Sequence, residues 1–165
     1  LYRQGARRMA YISGAADSFD NSERTEAFLD EAARYPVVVD RYEGNFVEQS
    51  GFDIAQQIIA AGQLPDAVFC ANDQMAIGFI KGLHEHSLDA PRDVAVVGFD
   101  DIQLAQYMRP SLSTVGASRR YWGSQAATQL IEFLENEKPF RPERIPTSLI
   151  QRTSSTRAVV VPESV

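Results

Sequence analysis

The stretch Val94-Ala95-Val96-Val97-Gly98-Phe99-Asp100-Asp101 sets the fold class of this chain. Its apolar residues run without polar interruption, the pattern of a strand buried on both faces. A glycine ends the run, and two adjacent acids follow closely. Working outward, the pattern recurs. Met9-Ala10-Tyr11-Ile12 stops at Gly14, Val37-Val38-Val39 follows Pro36, and Ala67-Val68-Phe69-Cys70 follows Pro65-Asp66. Helix-period segments lie between them. Asn21 to Arg34 carries Phe28, Leu29 and Ala32, and Ser50 to Ala61 sets Phe52, Ala55, Ile58 and Ile59 on one face. Ser50-x-x-Asp53 reads as a capping box and Gly62 as the C′ glycine. Asn72 can cap a third helix to about His84. Strand, helix and strand repeated with short connections predict right-handed crossovers and an α/β, doubly wound parallel sheet in three layers.

The last third changes character. Leu112 to Val115 reads as a strand, and Ser118 can cap a helix to about Glu135. Asn136 to Arg144 is a polar loop, Ile145 to Gln151 a further strand, and the tail from Arg152 reads as loose. The helix carries a wide stripe of Trp122, Ala126, Leu130, Phe133 and Leu134 that must pack on something.

Length and composition bound what such a sheet can do. The chain has 165 residues and a net charge of -6, which argues against a phosphate-backbone-binding face. Its apolar runs are far shorter than the ~20 residues that cross a bilayer. One cysteine excludes a disulfide scaffold or a Cys-cluster zinc site and suits a reducing, cytoplasmic setting. Opening on Leu1-Tyr2-Arg3-Gln4-Gly5, the chain reads as a piece of something longer.

In an open parallel sheet, ligands bind beyond the carboxyl ends of the strands. There the sequence sets Asp17, Ser18, Asp20 and Arg24, then Asn45 and Phe46, then Asn72 and Asp73, then Asp100 and Asp101. Amide, carboxylate, guanidinium and aromatic groups together suit a polyhydroxylated small molecule. Each also has an ordinary reading. Asn72 serves equally as a helix cap, Asp73 as a first-turn acid, and Arg24 as the surface partner of Asp20 or Glu23. Phe46 can simply cover the core. Asp100 and Asp101 are harder to dismiss, because adjacent carboxylates after a buried strand repel and desolvate each other.

Nucleophile-elbow, dinucleotide and P-loop motifs are absent, so no enzyme, cofactor or metal site is expected. His84 and His86, two apart on a helix, do not face together. A phospho-accepting receiver would need a strand-end lysine, and the two lysines, Lys81 and Lys138, lie elsewhere.

Taken together, Ala71-Asn72-Asp73-Gln74-Met75-Ala76-Ile77-Gly78, Val94 to Asp101 and Pro110-Ser111-Leu112-Ser113-Thr114-Val115 closely resemble the LacI/GalR family of bacterial transcription repressors. Ala6-Arg7-Arg8-Met9-Ala10-Tyr11-Ile12-Ser13-Gly14 and Leu149-Ile150-Gln151-Arg152-Thr153 match as well. The resemblance implies a type I periplasmic-binding-protein-like lobe. Residues 1–115 would form the C-terminal effector-binding lobe, 116–144 a helix and loop of the N-terminal lobe, and 145–165 a returning strand and polar tail. The DNA-binding domain would be absent from this stretch, and operator DNA would be reached only through it. Carried over by position, Arg24, Asn72, Asp100 and Asp20 match effector contacts and Phe46 an aromatic of the ligand cleft. Ala15 stands where a proline often follows the glycine. A sugar is the implied effector. A homodimer is implied too, through the helix of Met75, Ile77 and Phe79 and the segment at Tyr107, with a helix wedged inside the fold as the alternative for those residues. A sugar-binding protein of an ABC transporter is the alternative function. Without its partner lobe, the Trp122 to Leu134 stripe is expected to pack abnormally, self-associate or join a swapped dimer.

Overall fold

A computed structural model describes residues 1–156. Six strands form one sheet: β1 (Arg8–Ser13), β2 (Val38–Glu43), β3 (Ala67–Cys70), β4 (Ala95–Phe99), β5 (Ser113–Gly116) and β6 (Ser148–Ile150). Their order is β2-β1-β3-β4-β5-β6. The first five pair in parallel, and β6 runs antiparallel to β5. The helices are α1 (Phe19–Ala32), α2 (Glu48–Ala60), α3 (Asp73–Glu85) and α4 (Arg119–Asn136).

Strand pleating divides the core. Tyr11 of β1 and Phe69 of β3 are register partners, and Phe28 of α1 stacks on both at 4.8 and 5.4 Å. Ile12, one residue on, points to the opposite face, where it joins Met75 of α3 beside Gly44. The sheet is thus covered by α1 on one side and by α2 and α3 on the other, the expected doubly wound lobe.

Helices α2 and α3 approach closely because small residues line their seam. A Cβ at Gly51 would strike the Met75 backbone, and one at Gly78 the Glu48 carbonyl. Helix α3 is therefore wedged between the sheet and α2, which accounts for its apolar residues on several faces. For two of the four residues expected at a dimer face, the wedged-helix alternative describes the contacts. Met75 and Phe79 are fully buried inside this chain and have no surface to offer another. Ile77 is partly exposed, and Tyr107 is 69% exposed.

Three local expectations change. Strand β2 is an edge strand with Val38 exposed, and it carries Asp40, Arg41 and Glu43, charges that suit an unpaired edge. Helix α2 begins at Glu48 with Val47 at its cap, and no side chain caps it. Ser50 instead donates to the Val47 carbonyl and accepts from the Asn45 amide. Gly62 does close the helix, at φ 68°.

Residues 152–156 are pinned rather than loose. Ser154 is buried, its hydroxyl donating to the Val96 carbonyl at 2.7 Å and its amide to Ser111 at 2.9 Å. Serine hydroxyls satisfy strand groups there without needing an apolar sequence. Of the stretch read as a polar tail, residues 157–165 lie outside the described residues.

Helix α4 starts where Ser118 accepts from the Tyr121 amide, as expected of that cap. None of its residues is buried. The following loop folds back on the helix, where the Gln129 carboxamide accepts from the Arg141 amide, Glu132 pairs with Lys138 and Phe140 stacks on Phe133 at 5.0 Å. The rest of the apolar stripe stays largely uncovered, with Leu134 70% and Trp122 55% exposed.

Candidate functional site

At the carboxyl edge of the sheet lies an open cleft of about 490 Å³. Asp20, Glu23 and Arg24 come from the start of α1, Phe99 and Asp100 from the end of β4, and Arg119 and Trp122 from the start of α4. Thr147 precedes β6 and closes one wall.

Local chemistry sets the position of Arg24. Ser18 caps α1 by accepting from the Asn21 amide, and the Asn21 carboxamide oxygen accepts from the Gly14 amide at 2.6 Å. The first turn is thereby fastened over the end of β1. Arg24 then reaches back, donating through Nη1 to the Ala71 carbonyl at 2.8 Å. Its guanidinium lies 4.2 Å above the Phe99 ring, and Nη2 stands 4.0 Å from Asp100 Oδ1. Stacking and one backbone bond hold the guanidinium plane, while the remaining N–H groups are left for a planar acceptor pair.

The Asp100 side chain is 41% exposed. Partial burial pushes its carboxyl above the usual range, the charges of Arg24 and Arg119 pull it back, and Asp20 pushes it up again. Asp100 and Asp101 both have positive φ, 115° and 48°, an unfavourable backbone for residues with a Cβ. Arg119 bridges the turn by donating Nη2 to both carbonyls, at 3.0 and 2.8 Å.

Beneath the turn lies Asp73, which is completely buried. One carboxylate oxygen accepts from the Thr114 hydroxyl at 2.6 Å and the other from the Ile102 amide at 2.9 Å. Burial raises its pKa to about 6, against the pull of those two hydrogen bonds and with a further push from Asp100 and Asp101. A Cβ at Gly98 would land on this carboxylate.

The structure therefore gathers Asp20, Arg24 and Asp100 in one cleft. Phe46 and Asn72 are not among its lining residues. The Phe46 ring packs over Gly14, where no Cβ could fit, and the residue has φ 69°. Asn72 caps α3 by accepting from the Met75 amide at 2.9 Å, and its Nδ2 donates to the Phe46 carbonyl at 2.8 Å. Both ends of that amide are engaged within the chain, so the capping reading describes its contacts.

Glu23, Phe99, Arg119, Trp122 and Thr147 were not singled out as site residues from the sequence. The Ser118 cap was a usable signal, because residues just after a cap that follows a strand stand at the sheet's carboxyl edge. Nothing local marks Thr147. Arg152 was likewise missed: its Nη2 donates to Asp101 Oδ1 at 2.7 Å and its Nη1 to the Leu112 carbonyl at 2.7 Å. Among the described residues, no three His, Cys, Asp or Glu side chains are grouped as a metal would require. No helix among them is long and apolar enough to cross a membrane.

Residues 1–155 match the family model of the periplasmic binding protein-like domain. The HTH-type transcriptional repressor PurR of Vibrio atlanticus is 34% identical over 140 residues, covering 83% of this chain and 42% of its own length. The ribose operon repressor of Escherichia coli K12 is 36% identical over 134 residues, covering 79% of this chain and 41% of its own. A solved dimeric lac repressor superposes with a TM-score of 0.88 at 25% identity, covering 94% of this chain and 58% of its own. The chain thus spans less than half the length of the two curated relatives.

Proposed function

The chain belongs to the periplasmic binding protein-like domain family, in the form found in LacI-type repressors, and from that premise we propose that it is the ligand-sensing lobe of a bacterial transcriptional regulator. The observation that carries this reading is the clamp of Arg24, stacked on Phe99 and held 4.0 Å from the Asp100 carboxylate at the mouth of an open cleft. Guanidinium and carboxylate at that spacing can take neighbouring hydroxyls as acceptor and donor, while the Trp122 indole supplies an apolar face. The cleft lining holds three acids and two arginines, a balance that suits a neutral polyol better than an anion. A sugar or sugar derivative is the effector class.

Residues 116–144 belong in this reading to a second lobe, with effector binding between the two and biasing their relative closure. A ligand shifts such an equilibrium only by its differential affinity for the two states. DNA contact falls to a part of the protein beyond this stretch, in keeping with the net charge of -6 here. Pairing with a second copy runs through Ile77 and Tyr107, beside the exposed Leu104. The relatives described above are repressors, which favours a regulator working in the cytoplasm over a transporter's binding protein or an enzyme.

Calorimetry against a panel of pentoses, hexoses, nucleosides and purine bases tests the site. Arg24→Ala and Asp100→Ala should each weaken binding of the panel member that the unaltered protein takes, by roughly 1.5–3 kcal/mol for a charge-assisted hydrogen bond. Unchanged affinity in both variants would overturn the assignment.

A further inference from the structure

We infer that Asp73 is the positioning residue of the cleft: through the Thr114 hydroxyl and the Ile102 amide it holds the Asp100–Asp101 turn, and so sets where the Asp100 carboxylate stands relative to Arg24. The inference rests on reading that cleft as the effector site.

A first-turn acid that merely answers the helix dipole belongs at the surface, where solvent satisfies it. Asp73 instead has no exposed surface, and both its oxygens are given to other elements. Thr114 comes from β5 and Ile102 from the residue just past the turn. The same Thr114 oxygen also accepts from the Asp101 amide, at 3.3 Å. One buried carboxylate therefore reaches two successive amides, of Asp101 through the hydroxyl and of Ile102 directly. Those amides belong to or adjoin the two residues held at positive φ. A backbone of that kind costs about 1–3 kcal/mol per residue and persists only when its surroundings over-determine it. Gly98 leaves room for the carboxylate beneath the turn, and Gly116 does the same for the Asp101 side chain. Removing the two hydrogen bonds lets the turn relax, and Asp100 moves with it.

The titratable groups that bear on Asp73 are Asp100 and Asp101 from the turn itself; the buried Cys70 thiol of β3 feels the Asp73 charge but is itself held neutral by burial. Its protonation is therefore linked to the turn, and a pH profile reports the coupling.

The test is amide hydrogen exchange by NMR on the 165-residue chain, comparing Asp73→Asn, Thr114→Val and Thr114→Ser with the unaltered protein. Asp101 and Ile102 amides should exchange at least about tenfold faster in Asp73→Asn and Thr114→Val while Tyr11 and Ile12 stay protected. Thr114→Ser should restore protection. In the unaltered protein the Ile102 amide shift should follow the Asp73 carboxyl carbon through its titration. The Asp100 carboxyl should titrate lower in Thr114→Val, as a relaxed turn exposes it. Unchanged protection at Asp101 and Ile102, or an equal rise throughout β1, overturns the inference. If Asp73→Asn does not fold, the near-isosteric Thr114→Val decides. These readouts need no ligand, so a panel in which nothing binds would sink the effector reading and leave this result standing.

Discussion

Arg152 and Asp101, 51 residues apart in sequence, are joined by a 2.7 Å ion pair that fastens the returning segment to the turn beside the cleft. Both side chains are mostly covered, at 18% and 33% exposure, so the pair is neither a solvated surface contact nor fully desolvated. Its Asp101 end also lies in the turn whose carbonyls Arg119 bridges. Arg152→Ala strips a half-buried carboxylate of its partner and frees the Leu112 carbonyl. We expect a loss of about 1–3 kcal/mol, read as a lowered urea midpoint at unchanged slope. No shift would mean the pair is incidental.

Glycine 98 offers a sharper steric test. Its Cβ position is occupied by the carboxylate and Cα of Asp73, neither of which can retreat without parting α3 from β5. Gly98→Ala should therefore cost at least ~2 kcal/mol in thermal or urea unfolding. Gly123→Ala, with nothing near its Cβ, should stabilise α4 slightly.

Asp73 also imposes a direction on the pH dependence. Its folded pKa, about 6, lies above the ordinary carboxylate value of 3.8. A raised pKa means the folded state binds its proton more tightly, so this group's contribution is complete below about pH 4 and is lost as pH rises through 6. The effect amounts to at most about 3 kcal/mol. Asp100, raised chiefly by partial burial, acts in the same sense. Urea midpoints measured between pH 4 and 7 should show the fall, and Asp73→Asn should flatten it. An unchanged slope in that variant would assign the dependence elsewhere.

Trp122 is the only tryptophan and stands 55% exposed in the wall of the cleft. Its emission should be that of a wetted indole and should shift to the blue as an effector stacks on it. Titration with a binding panel member checks this, and Arg24→Ala should move the midpoint while leaving the shift at saturation intact.

Phe28 provides a check on the opposite layer. It stacks between α1 and the Tyr11–Phe69 pair at 4.8 and 5.4 Å, the main aromatic contact on that face. Phe28→Ala should cost about 3 kcal/mol by calorimetric or urea unfolding. Arg24 rides on the same helix, so effector affinity should fall as well.

Uninterrupted apolar runs such as Met9 to Ile12 and Val94 to Val97 determined the parallel sheet without help from structure, because burial on both faces leaves no other composition open to them. Caps at Asn72 and Ser118 and the glycine at 62 were equally legible, since each answers a local demand of the backbone. The same local logic misplaced the start of α2 at Ser50, where a short-range signal competed with the geometry of the preceding loop. It also assigned burial to Val37–Val39, because an edge strand is distinguished from a central one only by what pairs beside it.

Composition further placed Asp20, Arg24 and Asp100 at one end of the sheet, because strand direction alone fixes which loops share an edge. Their separation into a cleft, with Phe46 and Asn72 engaged elsewhere, depended on contacts across tens of residues. So did the burial of Met75 and Phe79 under α2, and the ties of Arg152, Ser154 and Asp73. A polar side chain carries no local mark of whether solvent, ligand or a distant strand will satisfy it. Only the folded chain brings the partner that decides.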